Sequence, residues 1–266
     1  MKTIAFIGTG AMGGALATAV SRADDISLLL ANRHPEKAEL LALMIGGTVT
    51  DNETAVKEAD ILFLAVKPQQ TEEVLTSLKP VFSTRENRLL LVSTVAGTPI
   101  ARLQELIGLK LPIIHIMPNI PVSVGEGMVF YACGEEVLPE EQSEFCRIMA
   151  GAGRLAPLPE SHLDMGSAVA GCGPAFAAMF AEAIADGGVI AGLPRAEAME
   201  FAFQMLIGTG KYLLQSGMHP GQLKDAVCSP AGATIQGVRI LEENGFRGAV
   251  IDAVVAAYRA HLGLGA

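Results

Sequence analysis

Short runs rich in Ile, Leu, Val and Ala punctuate the first 160 positions, and helical stripes of apolar residues lie between them. The runs predict strands near 3–8, 26–31, 47–50, 60–66, 89–94 and 112–117, with weaker ones near 127–132 and 153–157. Strand and helix alternate throughout, which predicts a doubly wound parallel α/β sheet. After Ser161 the strand pattern stops. The remainder of the chain is Ala-rich and helical, broken by turn signals at Gly171–Pro174, Gly192-Leu193-Pro194, Gly217–Gly221 and Gly245. Phe176, Met179, Phe180, Ala183 and Ile184 form one apolar stripe at helical spacing. The pattern divides the chain into an α/β domain, 1–159, and an all-α domain, 160–266. The helical part carries apolar residues on more than one face, Phe201, Phe203, Met205, Leu206 and Ile207 among them, which predicts packing against a second copy of the chain.

The first strand and helix are joined by Gly8-Thr9-Gly10-Ala11-Met12-Gly13. This is a G-x-G-x-x-G in its required setting, strand before and helix after. Gly8 permits the tight turn, Gly10 lets the backbone approach a pyrophosphate, and Gly13 lets helix and strand pack closely. The arrangement predicts a Rossmann-type site for a dinucleotide. The second strand ends at Asn32-Arg33, where an NAD-preferring site would carry an acid for the ribose hydroxyls. Arg33 is instead suited to a 2′-phosphate, with Asn32 as a hydrogen-bonding neighbour. NADP(H) is therefore the expected cofactor, with NADH as a weaker substitute. Val66, Lys67 and Pro68 end another strand and are candidates for the nicotinamide ribose, because ligands of open α/β sheets bind at strand carboxyl ends. Val95-Ala96-Gly97 ends a further strand in the same way.

Composition narrows the partners. A net charge of −9 argues against general nucleic-acid affinity, so an anionic cofactor must be held by local features. The longest uncharged stretch, Met165–Ala181, contains three Gly and one Pro and reads as too broken for a membrane span. The four Cys have no metal-ligand spacing and read as reduced cytoplasmic thiols; the His are scattered, and no metal site is expected. His115, inside an apolar strand, reads as a satisfied core residue rather than an acid.

A second chemical signal lies between Leu223 and Phe246. Ser229 is positioned to cap a helix with Pro230 as its first residue, and Gly245 to end that helix. The small residues Ala231, Gly232 and Ala233 leave backbone N–H groups open to an anion, and Thr234 offers a hydroxyl in the first turn.

With these residues together, the chain resembles the Δ1-pyrroline-5-carboxylate reductase family over essentially its whole length. The resemblance lies in the Gly-rich start and in Leu64-Ala65-Val66-Lys67-Pro68. It continues through Met117-Pro118-Asn119, Gly171–Phe176, Ala185–Val189 and Gly192–Arg195. It is most specific at His219–Asp225 and Ser229–Thr234. The chain departs from the family with Cys172 where Ser is frequent, Ala231 where Gly is usual, and Cys228 where a small polar residue is common. It departs again with Ala226 for an Asn, His115 for an Arg, and Ile120 for a Thr. The resemblance implies reduction of pyrroline-5-carboxylate to L-proline, a helical domain interleaved in a homodimer, and an active site shared across it. Decamers built from such dimers occur in the family. It also implies that Asn52 contacts the adenosine ribose, and that Val66, Lys67, Pro68 and Ala96 border the nicotinamide half. Ser229, Gly232, Ala233 and Thr234 would bind the substrate, with Thr234 near the ring nitrogen.

Two other readings fit the same scaffold. A β-hydroxyacid dehydrogenase would place a catalytic Lys on the helix spanning Ala177–Gly187, which has none; another imine reductase stays open. A non-catalytic NADPH-binding regulator would be expected to lose the Ser-Pro/Thr turn, which this chain keeps.

Overall fold

Eight strands pair into a single sheet in the order β3-β2-β1-β4-β5-β6-β7-β8. They are β1 (Lys2–Ile7), β2 (Ile26–Ala31), β3 (Thr48–Thr50), β4 (Ile61–Leu64), β5 (Leu90–Ser93), β6 (Ile113–Pro118), β7 (Gly127–Cys133) and β8 (Gly153–Pro157). The computed structural model describes residues 1–263. Six helices of at least seven residues accompany the sheet: α1 (Ala11–Val20), α2 (Pro35–Ile45), α3 (Asn52–Glu58), α4 (Pro68–Ser83), α5 (Ile100–Ile107) and α6 (Pro139–Ile148). Every pairing is parallel except β6 with β7. That one reversal departs from the all-parallel expectation. It arises from the short link between β6 and β7, too short to hold the crossover helix that parallel neighbours need.

Side chains alternate across each strand, so the sheet buries two separate apolar layers. On one face Ile4, Phe6, Leu30 and Phe63 pack with Leu16 and Val20 of α1 and Phe145 of α6. On the other, Ile7, Leu62, Leu64 and Leu91 pack with Val56, Leu75, Phe82 and Leu103 of α3, α4 and α5. Phe6 and Phe63, paired in register across β1 and β4, stack with ring centroids 4.5 Å apart. Truncating either ring to Ala is expected to cost about 3–5 kcal/mol, as for other buried aromatics.

Residues 1–171 form one compact unit and residues 172–260 a second. The segment 160–171, which begins the helical part of the sequence, belongs to the sheet unit. Leu163, in the one-turn helix α7 (Leu163–Gly166), is buried with Met117 and Ala132. Asn119 donates from Nδ2 to the carbonyl of Ala170 (2.9 Å) and accepts at Oδ1 from Met128 N–H (2.9 Å).

The second unit contains α8 (Gly173–Ile190), α9 (Arg195–Ser216), α10 (Pro220–Ala226), α11 (Ala233–Glu243) and α12 (Phe246–His261). Helices α8 and α9 are joined by a turn at Gly192, and Asp186 pairs with Arg195 across it. The hairpin meets through small side chains, with Ala181 and Ala185 against Ala198 and Ala202. These four alanines are the buried hydrophobic core of the unit among the described residues. Helices α10, α11 and α12 bury no residue completely. The helical run from 160 to 190 is more continuous than the Gly and Pro content of Met165–Ala181 suggests. By length and composition it is apolar enough to cross a membrane. Its breaks are absorbed by one π turn at Ser167–Gly171 and by placing Pro174 in the first turn of α8, where its missing N–H leaves no gap.

Candidate functional site

The carboxyl ends of β1, β2 and β4 open into a cavity of about 570 Å³. Gly8, Gly10, Asn32, Arg33, Asn52, Val66 and Lys67 all line it, so seven of the candidate residues, scattered over sixty positions, come together. Gly8 adopts φ +99°, and a Cβ there would collide with the Ala65 carbonyl; β1 and β4 come this close only because the residue is Gly. A Cβ on Gly13 would in turn strike the Gly8 carbonyl, so Gly13 brings α1 against the turn and does not face the cavity. Ala11, Met12, Pro68 and Ala96 also lie off the wall. Met12 packs into the core, Ala11 and Pro68 start helices beside the opening, and Ala96 rests against the Met117–Ala132–Leu163 cluster.

The first bond of the α1 ladder runs from Gly14 N–H to the Gly10 carbonyl (2.7 Å), so the N–H groups ahead of it are those a helix start presents to an anion. Thr9 is buried in the same turn with a hydroxyl that has no hydrogen-bond partner among the described residues. At the other end, Asn32 donates to the His34 carbonyl (3.0 Å), which shapes the turn leading to Arg33. Asp51 caps α3 by accepting from Thr54 N–H (2.8 Å), which is the main reason its carboxyl lies below the ordinary aspartate range. That cap presents Asn52, first residue of α3, to the cavity.

His34, Lys37, Gln70, Glu73 and Ser77 complete much of the wall, and the sequence pattern alone did not point to them. Lys37 had a local signal: it is the third residue of α2, the helix that follows the β2 strand end. Gln70, Glu73 and Ser77 lie on successive turns of α4 and reach the cavity only through packing. Glu73 is the one acid on a wall that also carries Arg33, Lys37 and Lys67. The excess of positive charge, the open space at Gly10 and the orphaned Thr9 hydroxyl suit a phosphate-bearing dinucleotide.

In the helical unit, Ser229, Gly232, Ala233 and Thr234 form one tight turn and helix start. The helix begins later than the sequence predicts: Gly232 is the N-cap and Ala233 the first residue of α11, while Ser229 and Pro230 precede it. The Ser229 carbonyl accepts from Gly232 N–H (3.0 Å), closing a turn ahead of the helix. A Cβ at Gly232 would strike the Ser229 hydroxyl, so the closeness of Ser229 to the helix start depends on Gly there. Ala231 takes φ +59°, a left-handed conformation that costs an L-residue about 1–2 kcal/mol. Gly takes this conformation without that cost, which is the physical reason Gly suits this position, and nothing in the structure explains the Ala. Thr234 is the second helical residue, and Gly245 closes the far end with φ +70°. Ahead of the turn, His219 caps α10, accepting at Nδ1 from Gly221 N–H (3.1 Å), while Gln222 returns a bond to His219 N–H (3.2 Å).

Fold and cavity define a class, the α/β oxidoreductases that bind a nicotinamide dinucleotide at the first βα turn. Residues 3–97 match the family model described as NADP oxidoreductase, coenzyme F420-dependent. Residues 160–264 match the model described as pyrroline-5-carboxylate reductase dimerisation. A pyrroline-5-carboxylate reductase of Synechocystis is 43% identical over 218 residues, 81% of this chain and 79% of its own. One from Escherichia coli is 37% identical over 257 residues, 95% of this chain and 94% of its own. A crystal structure of pyrroline carboxylate reductase from Plasmodium falciparum with NADP bound is 31% identical, with a TM-score of 0.87, covering 100% of this chain and 98% of that one. The chain belongs to the pyrroline-5-carboxylate reductase family. An imine reductase from a Pseudomonas species, 17% identical with a TM-score of 0.59, shares the fold alone.

Proposed function

We propose that this protein reduces Δ1-pyrroline-5-carboxylate to L-proline with NADPH. The observation that carries the substrate class is the match of residues 160–264, the Ser229–Thr234 turn included, to the family's dimerisation model. Arg33, two residues past the end of β2, shares the cavity wall with Lys37 of α2, and this supports NADPH over NADH, which we assign as a weaker substitute. Asn52 is assigned to the adenosine ribose. Val66, Lys67, Pro68 and Ala96 are assigned to the nicotinamide half.

When bound, the cofactor supplies a hydride from its C4 to C5 of the cyclic imine. The chain's own work is orientation and electrostatics. Ser229 and the first N–H groups of α11 hold the substrate carboxylate, with Gly232 and Ala233 leaving room for it. Thr234 directs its hydroxyl to the ring nitrogen, whose electron density rises as the C–H bond forms. Imines protonate readily in water, so this reaction asks for no strong protein acid. Aligning the reactants can lower the barrier by about 7 kcal/mol or more. We assign residues 1–159 to the cofactor and 160–266 to dimerisation and substrate. The assembly is a homodimer from which decamers can be built, in the cytoplasm, with neither nucleic acid nor membrane as partner.

The test is NADPH oxidation with pyrroline-5-carboxylate, its six-membered homologue and a 3-hydroxyacid pair. Fastest turnover of the five-membered imine is expected. Preference for the hydroxyacid pair would favour a β-hydroxyacid dehydrogenase. NADPH binding without turnover of any would favour a regulator.

A further inference from the structure

His115 is buried, 4% exposed, in the middle of β6, and both its ring nitrogens face acceptors. Nδ1 lies 2.9 Å from Glu160 Oε1, and Nε2 lies 3.1 Å from the Val95 carbonyl oxygen. The two contacts hold the ring at both of its nitrogens. Glu160 Oε1 also accepts from Ile100 N–H (2.8 Å) at the start of α5. Burial alone would raise the Glu160 pKa, but the bonds from His115 and Ile100 outweigh it and hold the carboxyl below its ordinary value.

The other end of this chain of bonds is a turn. Val95 is gripped twice: its carbonyl by His115, and its N–H by the buried Ser93 hydroxyl (3.2 Å). Its neighbour Thr94 donates from its N–H to the Leu64 carbonyl at the end of β4 (3.0 Å). The next residues after Leu64 are Ala65, Val66 and Lys67, part of the cavity wall. Gly97, two residues on, takes φ +69° and turns the chain back toward α5. The turn 94–97 is thus anchored to the cavity wall on one side and to a buried side-chain network on the other.

We propose that His115 and Glu160 are positioning residues for hydride transfer: through the Val95 carbonyl they fix the 94–97 turn, whose Ala96 is assigned above to the nicotinamide half of the cofactor. The proposal rests on the NADPH-dependent reading above. It predicts a division of effects. Most cofactor affinity comes from the phosphates and adenosine, which the β1, β2 and α3 ends hold. Loosening the 94–97 turn should misplace the nicotinamide with little loss of binding, and a displacement of this size can cost about 100-fold in rate.

The experiment compares wild type with His115→Ala, Glu160→Gln and Ser93→Ala. For folded His115→Ala we expect kcat to fall about 10- to 100-fold, and the Kd for NADP⁺ to change less than about threefold. The deuterium isotope effect with [4-²H]NADPH should grow, and the emission of the bound nicotinamide should shift. Glu160→Gln, which keeps an oxygen for both N–H groups, should retain kcat within about fivefold. Ser93→Ala removes one grip on Val95, should lose several-fold, and decides the matter if His115→Ala does not fold. Wild-type kcat and unchanged nicotinamide emission in His115→Ala and Ser93→Ala would overturn the proposal. So would losses of kcat, NADP⁺ affinity and thermal stability in equal measure, which mark a structural role only. A wild type that fails to reduce the cyclic imine would overturn the functional reading instead. The emission of bound NADPH then judges the turn alone, and emission identical in wild type and His115→Ala would sink it.

Discussion

The sheet unit and the helical unit solve the burial problem differently. The sheet unit covers both faces of its strands with its own helices and buries large side chains completely, Phe6, Phe63 and Phe145 among them. The helical unit buries four alanines and leaves Phe201, Phe203, Met205, Ile207 and Tyr212 of α9 exposed. Ordering a residue costs roughly 1–2 kcal/mol of backbone entropy, and a buried large apolar side chain returns about 1.5–3 kcal/mol. Four alanines cannot support a unit of this length. The first half is complete as a single chain; the second is half of an interface, in keeping with its match to a dimerisation model.

The most severe test of that contrast places a charge on each unit's exposed apolar surface. Phe201→Glu, at a side chain 53% exposed in the single chain, should bury a charge in the dimer interface. We expect the dissociation constant to rise about 100-fold or more. Light scattering should then report a mass near the 27.7 kDa of one chain. Leu43→Glu on α2, at a side chain 84% exposed, should shift stability by less than about 0.5 kcal/mol. Equal effects at the two sites would erase the distinction.

Within the helical unit, Thr234→Ala separates chemistry from assembly. The substitution should spare the dimer, since Ala is the better helix former. It should lower kcat/KM about 10- to 1000-fold for the cyclic imine, the range for one positioned donor, and Thr234→Ser should recover much of the loss. Wild-type kcat/KM in Thr234→Ala would make the residue an ordinary helix position.

The sheet unit, being self-sufficient, should respond locally. Arg33→Ala should raise KM for NADPH about 10- to 100-fold and that for NADH by less than about threefold, the difference expected for one charge-assisted contact. Thermal stability should not move. Matching shifts for both cofactors would remove Arg33 from the 2′-phosphate.

The smallest effect concerns the left-handed Ala231. Ala231→Gly relieves about 1–2 kcal/mol of backbone strain and returns about 0.4–1 kcal/mol of unfolded-state entropy, so a net gain of about 0.5–1 kcal/mol is expected. Calorimetry should register a rise of about 1–3 °C. A lower melting temperature would mean that the methyl group is packed in the assembled protein.

Most of the sheet could be read along the chain because strand period, glycine turns and the Asn32-Arg33 strand end are local features. Six cavity residues, Gly8, Gly10, Asn32, Arg33, Val66 and Lys67, follow from them, whereas Asn52 follows from the family resemblance. The helix start at Ala233 was displaced from the expected Ser-Pro cap because Ser229 closes a turn with Gly232 first, a preference that composition does not separate from capping. His115 was legible as a core residue, but nothing nearby in sequence points to Glu160 or Val95 as its partners.

By itself the sequence determined the alternation of strand and helix, the anion-ready turn after β1 and the apolar excess of the helical half, because backbone geometry and side-chain period act between near neighbours. Tertiary structure alone decided that Gln70 and Ser77 share a wall with Arg33, and that His115, Glu160 and Val95 meet. Those outcomes depend on how the sheet twists and how helices settle on it, and the free energy of that packing is spread over residues far apart in the chain.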